Sequence, residues 1–166
     1  MRQAALRAAA KNVLQRARSR GLKIATAESC TGGLVAAALT EIAGSSDVLD
    51  RGFVTYSNDA KHVMLGVPVT TLKRCGAVSA ETAAAMASGA LKFSLADIAV
   101  AITGIAGPGG GSKEKPVGLV HFAAASRQGR RLASVKRFGA IGRSQVRQRS
   151  VAEALRLLKM LSETPR

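Results

Sequence analysis

The sequence predicts an α/β fold, a three-layer α/β/α sandwich with a mixed, mostly parallel sheet, in a single domain over residues 1–166. Helix-type and strand-type hydrophobic periodicities alternate along the chain, which is typical of helices packed on both faces of a sheet. Residues 97–103 form a short, continuously apolar run, as expected of a central strand covered on both faces. At this length, with 47% hydrophobic residues, the chain can bury about 70% of the surface that its unfolded form exposes.

The first third of the chain is predicted to form a helix, a strand, a turn and a second helix, over 3–18, 22–26, 29–33 and 34–43. Its Arg- and Ala-rich start has the composition of an organelle transit peptide. However, Leu6, Val13 and Leu14 recur at helical spacing. We therefore expect the start to be an amphipathic helix of the folded domain, closed near Gly21.

The remaining elements continue the alternation. We predict a strand over 52–56, a short helix that carries Lys61, an Ala-rich helix from Ser79 to about Phe93, the central strand over 97–103, strands over 119–125 and 132–138, and a closing helix from Ser144 to Leu161. Ser57 and Asn58 are good N-caps for the helix that carries Lys61. The last two strands would form an antiparallel hairpin.

The formal net charge of +15 is concentrated at the two ends of the sequence. Before Glu28 there are seven basic residues and no acidic one, and between Glu114 and Glu153 there are nine basic residues. This balance permits binding of nucleic acid or of acidic ligands. However, exposed helices commonly carry Lys and Arg on their solvated faces, and the chain is poor in the aromatic residues that stack on bases. We favour solvated faces and keep nucleic-acid binding as the alternative function.

Cysteine and histidine usage argues against a metal site. Cys30, Cys75, His62 and His121 are the only residues of these types, and their spacing matches no zinc motif. We expect no metal, no cofactor and no disulfide, and we interpret both histidines as structural. No stretch approaches the roughly 20 apolar residues that cross a bilayer, so we expect no membrane partner and a cytoplasmic location.

The first candidate motif is TAESCTGG over 26–33, where a strand is predicted to pass into a helix. Backbone N–H groups at a helix start are unpaired and the helix dipole favours negative charge, so this turn can hold an oxyanion or a phosphate. Ser29 is the candidate nucleophile. Two alternatives stay open: Ser29 or Thr31 caps the helix, or Cys30 is the nucleophile, because a helix N-terminus can lower a thiol pKa.

The second candidate motif is YSNDAK over 56–61, at the end of a predicted strand, where open α/β sheets place their ligands. A serine nucleophile needs a neighbouring base, and two histidines supply a Ser-His-Asp triad poorly. Lys61 is the available substitute, because desolvation and nearby positive charge lower a lysine pKa. Tyr56 could relay or donate the proton. The alternative is that Lys61 is an ordinary exposed helix residue.

The third candidate motif is the glycine-rich run over 103–118, directly after the predicted central strand. It matches neither the dinucleotide-binding fingerprint nor the P-loop. A long glycine loop is costly in entropy and more often binds a ligand than not. Arg143, at the start of the last helix, is a candidate clamp for a phosphate or a carboxylate.

Together, these segments resemble the C-terminal amidohydrolase domain of the competence/damage-inducible CinA proteins, and the resemblance covers nearly the whole chain. It is carried by AESCTGG over 27–33, GFVTYSNDAK over 52–61, GAVS over 76–79, and the stretches 103–118 and 138–147. The resemblance implies a three-layer α/β/α fold. It also implies metal-free hydrolysis of a small phosphorylated nucleotide, nicotinamide mononucleotide, to nicotinic acid mononucleotide and ammonia, in pyridine-nucleotide salvage.

The same resemblance implies residue roles: Ser29 would be the nucleophile, Lys61 its base and Tyr56 the partner of the base. The expected substrate contacts are Glu28, Cys30, Thr31, Gly32, Thr103, Gly104, Ile105, Ala106, Gly107 and Arg143. The chain departs from the family pattern at Cys75, where histidine is common, and at Ala140, where an acidic residue is usual. We also expect a homo-oligomer.

Overall fold

The structure, a computed structural model, describes residues 3–163 of the chain. Its elements are α1 Gln3–Ser19, β1 Ile24–Glu28, α2 Leu34–Thr40, a 3₁₀ turn Ser45–Asp47, β2 Leu49–Val54, α3 Asn58–Leu65, α4 Val69–Cys75, α5 Ala80–Lys92, β3 Ile98–Gly104, β4 Leu119–Ser126, β5 Arg131–Arg137 and α6 Arg143–Glu163. In this part of the chain, none of the helices combines the length and the apolar character that crossing a membrane requires.

One five-stranded sheet runs through the molecule in the order β2-β1-β3-β4-β5. β1 pairs in parallel with β2 and β3, whereas β4 pairs antiparallel with β3 and β5. Four strands therefore point the same way and β4 opposes them, which confirms the predicted mixed sheet and its closing hairpin. β3 lies at the centre, and its residues 98–103 are buried, as the continuous apolar run predicts.

Two helical layers cover the sheet and complete the predicted three-layer sandwich. α1, α2 and α6 pack on one face, and α3, α4 and α5 lie on the other. Side chains alternate between the two faces along the inner strands. Those buried toward α6 are large, for example Ile24, Ile98 and Phe122. The buried hydrophobic residues of the sheet that face α5 are alanines: Ala25, Ala27, Ala99, Ala101, Ala123 and Ala125.

Helix positions agree well with the sequence where capping signals are strong. α1 buries Val13 and Leu14, so the basic start of the chain is a packed helix of the domain, as expected. Ser57 caps α3 by accepting the amide N–H of Ala60, and Ser79 caps α5 in the same way.

Several elements differ from the prediction, and among them β1 lies two residues later than the predicted 22–26 and α2 ends at Thr40 instead of at 43. β2 ends at Val54, so Tyr56 lies beyond the strand. The sequence does not predict α4, because its first turn, 69–71, is β-branched and has low helix propensity; the helix depends on its packing against α5. α6 begins at Arg143 and therefore contains Ser144, which is not its cap.

A close contact between α3 and α5 sets the depth of α3 in the fold. A Cβ atom on Gly89 of α5 would overlap the carbonyl oxygen of Leu65 at the end of α3. A glycine at this position lets the two helices approach until their backbones touch. The side chain of Lys61, one turn earlier in α3, is thereby carried into the interior and is fully buried.

Candidate active site

The candidate site lies at the carboxyl ends of β1, β2 and β3. Ser29 directly follows β1, and its amide donates to the carbonyl of Ile102 in β3 (3.0 Å). On the other side of β1, the amide of Thr55 donates to the carbonyl of Glu28 (2.9 Å). The three parallel strands therefore end side by side, in the position where open α/β sheets bind their ligands.

Ser29 and Lys61 are in direct contact at this edge. The Nζ atom of Lys61 lies 3.0 Å from the Oγ atom of Ser29. The Ser29 side of the contact comes from the turn after β1, and the Lys61 side comes from α3 in the layer that contains α5. Two motifs 32 residues apart in sequence thus meet as a buried pair.

Two main-chain carbonyls complete the surroundings of the Lys61 amine. Nζ lies 2.8 Å from the carbonyl oxygen of Thr55 and 3.3 Å from that of Tyr56. A charged amine donates to three acceptors, whereas a neutral amine has two N–H donors and one lone pair. When the two carbonyls accept both N–H groups, the lone pair remains for the hydroxyl proton of Ser29. The site therefore satisfies a neutral Lys61 as completely as a charged one.

Burial shifts the pKa values of Lys61 and Cys30, two residues that lie next to the candidate nucleophile Ser29. It lowers the pKa of Lys61 below the ordinary lysine value of about 10.4. An ionised Cys30 would oppose this shift, but burial raises the pKa of the Cys30 thiol to about 11. The desolvation of Cys30 thus outweighs the effect of the backbone dipoles on which the thiol alternative depends. The raised pKa favours the Ser29 hydroxyl over the Cys30 thiol as the nucleophile.

The start of α2 is not open to an anion, in contrast to the expectation from the sequence. The two carboxylate oxygens of Glu28 accept the backbone N–H groups of Gly33 (3.1 Å), Val35 (3.0 Å) and Ala36 (2.9 Å). Glu28 is fully buried and lies at the positive end of the helix dipole. It therefore caps α2 in place of Ser29 or Thr31, and its carboxylate is not placed to contact a substrate.

The turn before α2 keeps two amides available. Among the described residues, the Thr31 N–H has no hydrogen-bond partner, and the Cys30 N–H bonds to no other residue but interacts with its own thiol. The side chain of Arg147, from α6, donates to the carbonyls of the same two residues, with Nε 3.2 Å from Cys30 O and Nη2 3.1 Å from Thr31 O. The sequence reasoning missed Arg147. Its signal is the spacing of four residues from Arg143, which places both arginines on one face of α6.

Tyr56 and Arg143 meet at the surface beside the buried pair. Tyr56 is 61% exposed, and its phenol oxygen accepts from Nη2 of Arg143 (2.9 Å). Nη1 of Arg143 donates to the carbonyl of Gly107 (3.0 Å). No hydrogen bond within residues 3–163 joins the phenol to Ser29 or Lys61. The hydrogen bond between Tyr56 and Lys61 uses the main-chain carbonyl of Tyr56, and relay or donation of a proton by its phenol stays a prediction.

Part of the glycine-rich segment serves the fold. The Thr103 hydroxyl donates to the carbonyl of Ala77 (2.6 Å), which ties the loop before α5 to β3. The amide of Ile105 donates to the carbonyl of Leu119, and Ala106 is buried in the core beneath α6. These three positions are predicted substrate contacts, and the structure engages them in internal bonding and packing.

Two glycines of this segment are needed for close packing, because a side chain at either position would overlap its neighbours. A Cβ atom on Gly104 would lie 2.7 Å from a methyl group of Val120, and one on Gly107 would lie 2.6 Å from a methyl group of Val117. Side chains at either position would therefore push the loop away from the start of β4. The remaining polar contribution of this segment to the site is the Gly107 carbonyl that binds Arg143.

The other polar candidates of the sequence lie outside this arrangement. Within residues 3–163, no three His, Cys, Asp or Glu side chains converge on a point that could hold a metal ion. Nδ1 of His62 lies 2.9 Å from the carbonyl of Val67. Burial lowers the pKa of His121, and the nearby Lys115 ammonium lowers it further. The carbonyl of Cys75 accepts from Lys115 Nζ (2.6 Å), and Ala140 is exposed.

Fold and site together define a class: an α/β protein with a buried serine–lysine pair at the carboxyl ends of parallel strands. The sequence profile of the family described as CinA C-terminal domain matches residues 6–162. The chain belongs to this family.

Two groups of relatives are similar to this chain: proteins named as amidohydrolases and proteins named as competence-damage inducible. The nicotinamide-nucleotide amidohydrolase PncC of Escherichia coli K12 is 52% identical over 144 residues, which cover 87% of this chain and 87% of that protein. A putative competence-damage inducible protein of Caldicellulosiruptor bescii is 59% identical over 106 residues, which cover 64% of this chain and 26% of that protein. The chain thus matches about a quarter of the longer relative.

A solved structure shows the same architecture. The competence/damage inducible protein CihA from Agrobacterium tumefaciens is 56% identical and superposes with a TM-score of 0.94, over 95% of this chain and 96% of that one. The three-layer fold predicted from the sequence is therefore also that of an experimentally determined relative.

Proposed function

We propose that this protein hydrolyses the carboxamide of nicotinamide mononucleotide to nicotinic acid mononucleotide and ammonia, with Ser29 as nucleophile and Lys61 as base. The observation that carries the proposal is the 3.0 Å contact between the buried Lys61 amine and the Ser29 hydroxyl. The substrate is supported by the Escherichia coli relative, which is named for activity on a nicotinamide nucleotide and matches this chain over 87% of both lengths.

In the first half of the reaction, neutral Lys61 takes the hydroxyl proton of Ser29 while Oγ attacks the carboxamide carbon. The carbonyl oxygen becomes an oxyanion. When the tetrahedral intermediate collapses, the C–N bond breaks and the leaving nitrogen takes the proton from Lys61, so ammonia departs and an ester on Ser29 remains. The carbonyls of Thr55 and Tyr56 hold the amine in place during both transfers.

In the second half, Lys61 takes a proton from water and the hydroxide attacks the ester carbon. The Ser29–carbon bond breaks, Ser29 recovers its proton from Lys61, and the product acid releases its own proton to solvent and leaves as a carboxylate. In both halves the N–H groups of Thr31 and Cys30, neither of which bonds to another residue, are the donors for the oxyanion. One well-placed donor of this kind is worth about 3–4 kcal/mol of transition-state stabilisation.

The substrate phosphate is assigned to Arg143. Its guanidinium is exposed and makes two neutral hydrogen bonds, to the phenol of Tyr56 and the carbonyl of Gly107. A guanidinium presents five N–H donors, so it can bind a phosphate while keeping contacts of this kind.

Replacing Tyr56 with phenylalanine separates the two contributions of this residue. Tyr56→Phe keeps the carbonyl next to Lys61 and removes only the oxygen that Arg143 contacts. Because the lost contact is exposed, we expect KM to rise by about 3- to 10-fold and kcat to stay within about threefold. Steady-state ammonia release measures both. A 100-fold fall in kcat at unchanged KM would instead identify the phenol as a proton donor.

Ammonia release by the purified protein tests the proposed function directly. We expect turnover of nicotinamide mononucleotide, and weaker turnover of the riboside that lacks the phosphate. Rapid acid quenching during turnover, followed by mass spectrometry, should find the acyl group on the peptide that contains Ser29. Absence of ammonia release, together with salt-dependent retention of the protein on DNA, would contradict the proposal and favour nucleic-acid binding.

A further inference from the structure

We propose that Arg147 is a positioning residue that orients the Thr31 amide as the oxyanion donor of the active site. This role rests on the proposed serine–lysine hydrolysis. Arg147 is half-buried in α6, and among the described residues it forms no hydrogen bond with Ser29 or Lys61. Its effect on the reaction must therefore pass through the turn that it contacts.

The contacts of Arg147 fix two consecutive peptide groups. Nε lies 3.2 Å from the carbonyl oxygen of Cys30, and Nη2 lies 3.1 Å from that of Thr31. Because the guanidinium is planar and its donors are rigidly spaced, two bonds from different nitrogens determine the directions of both carbonyls. The neighbouring residue Val146 is fully buried in the core, which anchors this part of α6 beneath the turn.

Peptide geometry transfers this constraint to the amide. The carbonyl of Cys30 and the N–H of Thr31 belong to one planar trans peptide, in which they point in opposite directions. Within the described part of the chain, Arg147 is the one hydrogen-bond partner of this peptide, because the Thr31 N–H has none. Holding the carbonyl therefore determines where the N–H points.

The layers of the fold give the direction. Arg147 comes from α6, on one face of the sheet, whereas Lys61 comes from α3, on the opposite face. A carbonyl drawn toward α6 turns its amide away from α6, toward the side on which Lys61 and Ser29 meet. The positive guanidinium also polarises the peptide, which strengthens the N–H as a donor.

Gly32 and Glu28 hold the parts of the turn on either side of the Arg147 contacts. Gly32 has a φ of +57°, a left-handed conformation that a residue with a side chain adopts only under strain, so the glycine allows the turn to take this shape next to Arg147. Glu28 fixes the far end of the turn through the first amides of α2. The turn is thus anchored on both sides of the Cys30–Thr31 peptide, and Arg147 holds the peptide itself.

Steady-state kinetics of two Arg147 variants test the role. Arg147→Gln keeps a polar side chain but loses the rigid two-point contact, and we expect kcat to fall by about 100-fold with KM within threefold of wild type. Arg147→Lys keeps the charge and a single donor, and we expect a smaller loss of about 10-fold. Arg149→Gln is the matched control, since Arg149 is exposed on the same helix and makes no hydrogen bond among the described residues; it should behave as wild type.

Hydrogen exchange provides a readout that does not depend on turnover. In Arg147→Gln, the peptide covering residues 29–34 should exchange at least 10-fold faster than in wild type or Arg149→Gln, because the turn has lost its central anchor. Peptides from β3 and β4 should exchange at the wild-type rate in all three proteins. This comparison separates loosening of the turn from general destabilisation.

Three outcomes decide the proposal. Unchanged kcat in folded Arg147→Gln overturns it, and so does a rise in KM at unchanged kcat, which would make Arg147 a substrate ligand. Unchanged exchange in residues 29–34 also overturns it, whatever the kinetics. If wild type releases no ammonia from nicotinamide mononucleotide, the proposed function fails, and the exchange comparison then decides the positioning role alone.

Discussion

Replacing Lys61 with methionine is expected to lower kcat by about 10²- to 10⁴-fold, which is the usual contribution of general-base catalysis. Methionine is unbranched and fits the buried path that the lysine stem occupies. The substitution leaves the carbonyls of Thr55 and Tyr56 without their partner, at a cost of about 1–3 kcal/mol each. The thermal midpoint must therefore be measured beside the rate, so that loss of chemistry is separated from loss of fold.

Arginine at position 61 provides the sharper comparison. A guanidinium can donate to the same carbonyls but stays charged at every accessible pH, so it cannot accept the Ser29 proton. We expect Lys61→Arg to be as inactive as Lys61→Met. An arginine variant with more than about a tenth of wild-type activity would mean that position 61 supplies charge, and the role of a base would have to be abandoned.

The pH dependence of kcat follows from the same group. In the proposed mechanism the neutral amine is the active form, and burial lowers the pKa of Lys61 from its ordinary value. As the pH falls through this lowered pKa, Lys61 gains a proton and activity is lost; as the pH rises, kcat increases and levels off. We therefore expect a single ascending limb with its midpoint below about 10.4. A limb that rises only at or above that value would indicate an unshifted lysine.

Replacing Ser29 with alanine is expected to lower kcat by at least about 10³-fold, because no acyl-enzyme can form. The change removes one hydroxyl and leaves the backbone bonds of the turn in place, including the Ser29 amide to Ile102. The fold should therefore persist, and substrate binding should remain measurable by calorimetry.

Cys30→Ala is the companion variant. With a thiol pKa of about 11, Cys30 is protonated under assay conditions, and its removal should keep kcat within about 10-fold of wild type. The combination of an inactive Cys30→Ala and an active Ser29→Ala would transfer the nucleophile to the thiol. Mass spectrometry of the quenched enzyme identifies the acylated residue independently of either rate.

The sequence predicts those parts of this fold that depend on local patterns. The apolar run over 97–103 identifies the central strand, and the caps Ser57 and Ser79 identify two helices, because each signal lies within a few residues of its effect. α4 is missed for the converse reason. Its β-branched residues disfavour a helix locally, and packing against α5 overrides them.

The site residues also fall into those with a local sequence signal and those that depend on tertiary contacts. Ser29 and Lys61 are predicted from motifs at strand ends, and the structure brings them together. The Glu28 carboxylate accepts hydrogen bonds from the first amides of α2 only because its side chain reaches the helix start. No sequence pattern gives that distance. Arg147 is missed because its contacts lie more than 100 residues away in sequence and end on carbonyl groups, which leave no mark on residue identity.

The alanine-lined face of the sheet has a consequence for how this sequence can change over time. Between the inner strands and α5, small side chains meet small side chains, including Ala83, Ala87 and Ala90 of the helix. A cavity lined by Ala87, Ala123 and Ala125 can take an added methyl group toward β4. Where α5 packs on β1 and β3, a larger side chain must instead displace the helix. On the α6 face, one bulky aliphatic residue can replace another. Larger side chains should therefore be accepted least often where α5 packs on β1 and β3.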